Sequence, residues 1–431
     1  MITGQTDKGL RYAVRQAGTA VGYCALSIRC GTRDEGEFPQ GIAHFTEHTI
    51  FRGTRKRSAA AIASYLDRLG GELNAYTTKE EIVIHATVLK EDLPKAIGLL
   101  LELATEASFP EREVETERGV VIDEIISYKD SPSEDVYDRF EEALFAGHPL
   151  CRPILGTAAS VRKITPADLH RFRAAFFRPE RMALTVVSPL EEPRMEKDVK
   201  RLTEKYFPAF GTGEAPTPEA GHGNAGTPDE GTGNATPEAG NGESRAPAAP
   251  PFDRTVNKRN HEVNAVIGGR APSLYEPKDR ITAVLLTNIL GGPASNSLLN
   301  SELREKKGWV YGIECSYTQY ADTGIMAITF GCDKPNLDAC LRAIDRILGR
   351  LKDRPLSERR LKAAKRQLAA QLAVGSESGE ARCLSMGKSL LAFGRISTGA
   401  ENRAAIDAVT AEDIRRMAGR VFGAPSRLIY L

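Results

Sequence analysis

The amino-acid sequence predicts an α+β protein built as two tandem domains, each with an antiparallel or mixed sheet packed against helices. Three observations predict it. First, 431 residues are enough for two to three domains with substantial cores. Second, residues 211–250 are mainly Gly, Ala, Pro, Thr, Asn and Glu, with no aliphatic residue larger than Ala. Near-repeats such as Thr217-Pro218-Glu219-Ala220-Gly221 and Thr236-Pro237-Glu238-Ala239-Gly240 recur there. Such a stretch buries too little apolar area to offset its ordering entropy, so it reads as a flexible, mildly acidic linker in which His222 is incidental. Third, the text on either side runs in one order: strand, helices, strand pair, helices, strand. The expected division is residues 1–210, a linker over 211–253, and residues 254–431.

In the first half, residues 21–30 are strand-like and residues 31–40 form a loop. Residues 41–52 are a predicted helix. Ser58 is an N-cap for a helix over 59–69, which Gly70-Gly71 stops. Residues 72–78 and 81–89 read as a strand pair. Helices follow over 93–106, over 111–128 behind Pro110, over 134–145, and from Pro166 to residue 177. Residues 182–187 are a short buried strand. In the second half, 263–268 is strand-like, and 282–304 is helical text broken at Gly291-Gly292-Pro293. Residues 309–318 and 324–332 are a second strand pair. Helices over 337–351 and 356–373, and one starting near Thr410, precede a closing strand at 428–430.

Composition excludes several classes. Hydrophobic content of 41% and charged content of 27% are ordinary for a globular protein. A net charge of +1 and the lack of a long basic run give no nucleic-acid surface. No apolar stretch reaches the roughly 18 residues of a membrane span, and residues 1–11 lack an apolar signal core. A cytoplasmic location is expected, with neither nucleic acid nor membrane as partner. The seven cysteines are odd in number and form no C-x-x-C, so they read as buried thiols of a reducing compartment.

The chemistry is concentrated in His44-Phe45-Thr46-Glu47-His48. This H-x-x-E-H is the inverted order of the zinc-peptidase signature H-E-x-x-H. Residues four apart share a helix face, so both imidazoles can hold one ion. Zinc takes neutral imidazole nitrogens or carboxylate oxygens at about 2 Å in a tetrahedral shell, with one position kept for water. Glu47 then lies where it can act as the base of that water. Two histidines are not a site, so a third ligand must come from elsewhere. The helix over 111–128 carries Glu117 and Glu124 on one face, beside an apolar stripe of Val114, Val121 and Ile125. A cation would give two core-side carboxylates a reason to be there. Taken alone, they read more readily as solvated helix acids; the H-x-x-E-H upstream shifts that reading to a ligand.

Together these segments resemble the pitrilysin-type M16 metallopeptidases, which include the mitochondrial processing peptidases and insulin-degrading enzymes. Residues 41–54, GIAHFTEHTIFRGT, follow the family's metal-helix text, with Thr49-Ile50 replacing a more hydrophobic pair. The resemblance implies one zinc ion per chain on His44, His48 and Glu124, with Glu47 as base and Glu117 as an accessory acid. Residues 70–77, GGELNAYT, match the run into an edge strand that binds substrate as an added strand. Asn74 and the Ala75 carbonyl would lie beside the scissile bond; without the zinc motif, the same text is a turn before a hairpin. Residues 303–311, LREKKGWVY, resemble the family's R-x6-Y element. Arg304 would hold a substrate carbonyl and Tyr311 would donate to the developing oxyanion, both reaching the zinc site when the halves close over the linker. The second half lacks an H-x-x-E-H and would be a degenerate repeat. The implied fold is two homologous α/β-roll domains forming a LuxS/MPP-like clamshell.

The implied activity is zinc-dependent cleavage of extended peptides or small unfolded proteins. The alternative is a catalytically silent scaffold or partner subunit, for which the presence of His44, Glu47, His48, Glu124, Arg304 and Tyr311 would have no chemical need. A chain with both residue sets favours a homodimer or monomer over pairing with an inactive sister subunit. His85 reads as a satisfied strand residue, His148 as a turn or capping residue, and Trp309 as packing; His170 and His261 carry no assigned role.

Overall fold

The computed structural model describes residues 1–208, 249–258 and 260–431. Most of the expected linker therefore lies outside the described residues. The first sheet comprises β1 (Ile2–Gln5), β2 (Arg11–Gln16), β3 (Val21–Ile28), β4 (Glu72–Thr77), β5 (Ile82–Leu89) and β6 (Met182–Ser188), ordered β1-β2-β6-β3-β5-β4. The second comprises β7 (Asp253–Val256), β8 (Val263–Ala271), β9 (Val310–Gln319), β10 (Gly324–Cys332) and β11 (Ser426–Tyr430), ordered β7-β11-β8-β10-β9. Each sheet has one parallel pair, β2 with β6 and β7 with β11, and is otherwise antiparallel. With β1 set aside, the two orders match strand for strand. The chain repeats one mixed-sheet topology, and β4 and β9 are the corresponding edges.

The first half adds α1 (Ile42–Ile50), α2 (Ala59–Asp67), α3 (Leu93–Glu106), α4 (Glu111–Lys129), α5 (Pro132–Leu144), α6 (Ala158–Val161), α7 (Pro166–Phe176) and α8 (Glu192–Tyr206). The second adds α9 (Pro277–Gly291), α10 (Leu337–Asp353), α11 (Glu358–Gly375), α12 (Gly379–Phe393), α13 (Gly399–Ala408) and α14 (Ala411–Phe422). Among the described residues, no helix is long and apolar enough to cross a membrane. The main first core lies between one face of the first sheet and helices that include α3 and α8, and the main second core lies under α9, α10 and α14.

The remaining sheet faces are covered reciprocally. From the first half, α5 lies on β8, β10 and β11 of the second sheet, burying Val136, Phe140 and Leu144 against Val266, Ala327 and Leu428. From the second half, α12 lies on β2, β3 and β6 of the first sheet, where Cys383, Met386 and Leu390 meet Ala13, Ala25 and Val187. Each large apolar side chain withdrawn from such a cluster costs roughly 1.5–3 kcal/mol. The expected opening and closing of the halves would therefore have to disrupt two cores. Polar contacts close the seam further. Arg33 pairs with Glu80 and bidentately with Asp322, whose carboxylate also meets His148 Nε2 at 3.0 Å. Buried Lys79 lies 3.1 Å from Glu141, which accepts the Tyr320 hydroxyl.

Several elements depart from the sequence reading. β1, β2, α8, α12 and α13 are additional, α9 starts at Pro277, and a π-helical turn covers Asn300–Lys306. β7 begins at Asp253, inside the segment assigned to the linker. In α8 the buried residues Met195, Val199 and Leu202 fall one per turn among charged neighbours, which lowers the mean apolarity of the text without removing the apolar face. α12 carries glycines that argue against a helix in isolation. At Gly387 an added Cβ would lie 2.4 Å from Ser27 Oγ, so the missing side chain is what lets this helix press onto the sheet. The cysteines are free and all but Cys151 are buried. His148 caps a short turn through Leu150 N, His85 bonds to Glu380, and Trp309 packs on the second core.

Candidate metal centre

α1 is fixed before its histidines are placed. Gly41 starts it at φ 87°, and a Cβ there would lie 2.7 Å from Leu155 O, so only glycine fits this entry. The Glu35 carboxylate, fully buried, accepts from Gly41 N and Ala43 N at 2.9 and 3.3 Å, satisfying backbone donors at the helix start. Ile42, Phe45 and Ile50 anchor the helix in the first core. That orientation turns His44 and His48 to α4, with ring centroids 4.6 Å apart.

Across from them, α4 buries Val114, Glu117, Val121 and Ile125 along one face. Glu124 Oε2 lies 3.7 Å from His44 Nε2 and 3.4 Å from His48 Nε2. One ligand atom from each of the three residues falls within 4.8 Å of the others. Two ligand atoms about 2.1 Å from one tetrahedral zinc would stand about 3.4 Å apart, so the group is close to the right size. His44 Nδ1 and Glu124 Oε2 are buried without a hydrogen-bond partner, and Glu124 Oε2 faces both imidazoles; a cation would supply the partner the carboxylate oxygen lacks. The donor set fits zinc.

Electrostatics prepare His44 and Glu124 for ligation. Burial, reinforced by the charge of His48, lowers the His44 pKa to about 4, leaving the neutral imidazole that ligation requires. The close approach of His48, followed by the charges of both histidines, holds the Glu124 carboxyl below its usual range despite burial. For His48, burial pulls the pKa down, but Glu124 and Glu117 more than offset it. Glu117, 1% exposed, lies 3.1 Å from His48 Nδ1 and also pairs with Arg52. A proton held on Nδ1 leaves the Nε2 lone pair facing Glu124.

Glu47 is half-buried and accepts the Thr77 hydroxyl at 2.7 Å. Burial raises its pKa, with Thr77 and His48 acting against that rise. Thr77 ends β4, so the edge strand and the metal helix meet at this carboxylate. Along β4, Leu73 and Ala75 belong to the core side shared with α1, whereas Tyr76 belongs to the α12 side. Strand alternation places exposed Asn74 on that second side, opposite Ala75. Thr77, Arg52 and Glu35 were not singled out in the sequence. Two steps of strand alternation from Ala75 lead to Thr77, and Arg52 stands four residues after His48. No pattern marked Glu35.

Comparison with known proteins bears on this arrangement. Residues 11–158 match the family model described as Insulinase (Peptidase family M16), and residues 163–368 match Peptidase M16 inactive domain. An uncharacterized zinc protease of Mycobacterium leprae is 30% identical over 407 residues, covering 94% of this chain and 84% of the relative. The chain belongs to peptidase family M16. Two further relatives in this family are uncharacterized zinc proteases. That of Streptomyces coelicolor is 29% identical, covering 91% of this chain and 81% of its own, and that of Bacillus subtilis is 28% identical, covering 92% and 90%. A crystal structure of a protease from Helicobacter pylori superposes with a TM-score of 0.84 at 21% identity, covering 100% of this chain and 98% of that one. The solved peptidase M16 inactive domain from Pseudomonas fluorescens gives 0.82 at 19%, covering 100% and 96%. These likenesses agree with the two-sheet α+β fold.

The two M16 residues expected from the second half are not part of the zinc group. Tyr311 is 60% exposed at the start of β9, and its hydroxyl donates to Asp333 at 2.7 Å. Arg304 is exposed on the π-helical turn. The other end of β9 leads to Ala321, whose N–H donates to Glu80 at 2.9 Å. Ten strand residues at about 3.3 Å each place Tyr311 on the order of 30 Å from that contact.

Proposed function

We propose that the chain is a zinc-dependent endopeptidase that hydrolyses extended peptides or small unfolded proteins. The observation that carries this is the convergence of His44, His48 and Glu124 within 4.8 Å, with Glu47 one residue from a ligand and bonded to the end of an unpaired edge strand. When bound, zinc would supply a Lewis acid that polarises water and the scissile carbonyl. Glu47 removes the proton from the attacking water and returns it to the leaving amine, a role helped by a carboxyl whose pKa burial has raised. Glu117 keeps the proton of His48 on Nδ1 and holds the ring in place. The outer edge of β4 pairs with the peptide backbone and aligns it past Ala75 towards Glu47, which makes recognition depend little on side chains.

Arg304 and Tyr311 are the proposed substrate-carbonyl and oxyanion donors. Within one chain Tyr311 is 60% exposed and bonded to Asp333 rather than to a zinc residue, which favours a homodimer in which one copy presents this pair to the site of the other. The test is mass-spectrometric profiling of cleavage in a mixed peptide library, with Glu47→Gln as control. Expected are internal cuts in extended peptides that vanish in the variant and after chelation. Cuts that persist in Glu47→Gln, or no cuts by zinc-loaded wild type, would sink the proposal.

A further inference from the structure

A cavity of about 300 Å³ lies where the two halves meet, separate from the zinc group. Its floor is the end of the first sheet: Arg29 follows β3, Arg181 precedes β6, and Thr78 and Glu81 lie in the β4–β5 turn. Its apolar wall comes from the second half, through Leu274, Tyr275 and Tyr320, and from Leu391 and Ala392 of α12. Tyr275 is 41% exposed but edge-packed on Phe393, so the wall holds its shape without being filled. This volume sits at the lower end of the range for small-molecule sites.

The charges lining the cavity do not cancel locally. Arg33 is taken up by Glu80 and Asp322, and Arg181 lies 3.5 Å from Asp34 while donating to Arg29 O. Exposed Arg29 and Lys388 are the lining cations with no carboxylate oxygen within 4.0 Å among the described residues. Glu81 also lines the cavity, and its carboxyl is pushed up by burial, with Lys388 pulling the other way. Two cations at the rim of an apolar pocket suit a ligand with an apolar body and one carboxylate.

We propose that this cavity binds a small apolar carboxylate, such as a short peptide product with a free C-terminus. Its carboxylate would bridge Arg29 and Lys388, and its apolar body would lie on Tyr275 and Leu391. Occupancy would be felt at the peptidase site through one covalent step: Thr78 lines the cavity, and its neighbour Thr77 holds Glu47. That regulatory consequence rests on the peptidase reading, whereas binding itself does not. Isothermal titration calorimetry of the full zinc-loaded chain with N-acetyl-leucyl-leucine and with its C-terminal amide tests the proposal, because the readout uses no peptidase activity. The carboxylate is expected to bind saturably, the amide about tenfold or more weaker, and Arg29→Ala/Lys388→Ala to lose the carboxylate preference. Both substitutions fall on exposed side chains, so an unchanged melting temperature should accompany the loss. No saturable binding of the carboxylate, or equal binding by the double variant, would overturn it.

Discussion

Burial and the nearby His48 hold His44 neutral, and it faces Glu124 because Ile42, Phe45 and Ile50 seat its helix in the core and Glu35 binds the backbone at its start. The H-x-x-E-H spacing and the Glu117/Glu124 face were legible in the sequence because helix periodicity alone brings such residues onto one side. The supporting contacts were not. Thr77 on Glu47, Arg52 on Glu117 and Glu35 on α1 depend on tertiary placement, which local spacing does not encode. Glu35 gives a prediction at this scale. Burial raises its pKa from 4.5 to about 8, against the pull of Ala43 N, Gly41 N and Arg152. The folded state thus binds a proton more tightly than the unfolded one. Stability is fully present below about pH 4.5, falls by at most about 1.4 kcal/mol per pH unit as pH rises to about 8, and then levels off. Glu35→Gln keeps one acceptor for the two backbone donors and removes this slope. Urea midpoints at pH 5, 7 and 9 should show the variant gaining on wild type as pH rises. A difference that stays constant with pH contradicts the assignment.

At the scale of elements, the strands that pair within a half were legible from alternation and length, and β3, β4, β5, β9 and β10 lie where expected. What the sequence did not reveal is where α5 and α12 go. A helix's apolar stripe says that it packs, not on which sheet, and α12 hides its stripe behind glycines and serines. The exchange has a measurable consequence. Phe140 belongs to the first half but is fully buried against the second sheet. Phe140→Ala should destabilise by about 3–5 kcal/mol. Amide hydrogen exchange should quicken in β8 and β11 before it does in β3 and β5. Faster exchange confined to the first sheet would show that α5 is not the cover of the second.

For the whole molecule, the reciprocal helices and the Arg33–Asp322–His148 and Lys79–Glu141–Tyr320 contacts join the halves independently of the covalent connection between them. A protease site inserted within residues 211–250 and then cut should leave two fragments that co-elute in size-exclusion chromatography and keep their zinc. Separation of the fragments under native conditions would show that the connection, not the exchange, holds the molecule together. The two-half organisation could be read from the composition break and the repeated element order; the interlock depends on contacts between residues more than a hundred positions apart, such as Thr185 with Cys383.

In the proposed peptidase, His44, His48 and Glu124 hold a zinc ion beside Glu47. Zinc content and peptide hydrolysis, measured on the same preparations of wild type and Glu47→Gln, test it most directly. About one zinc per chain is expected in both proteins, with a hydrolysis rate at least about 10²–10⁴-fold lower in the variant. Wild-type protein that takes up no zinc, or a Glu47→Gln protein that cleaves as fast as wild type, would contradict it.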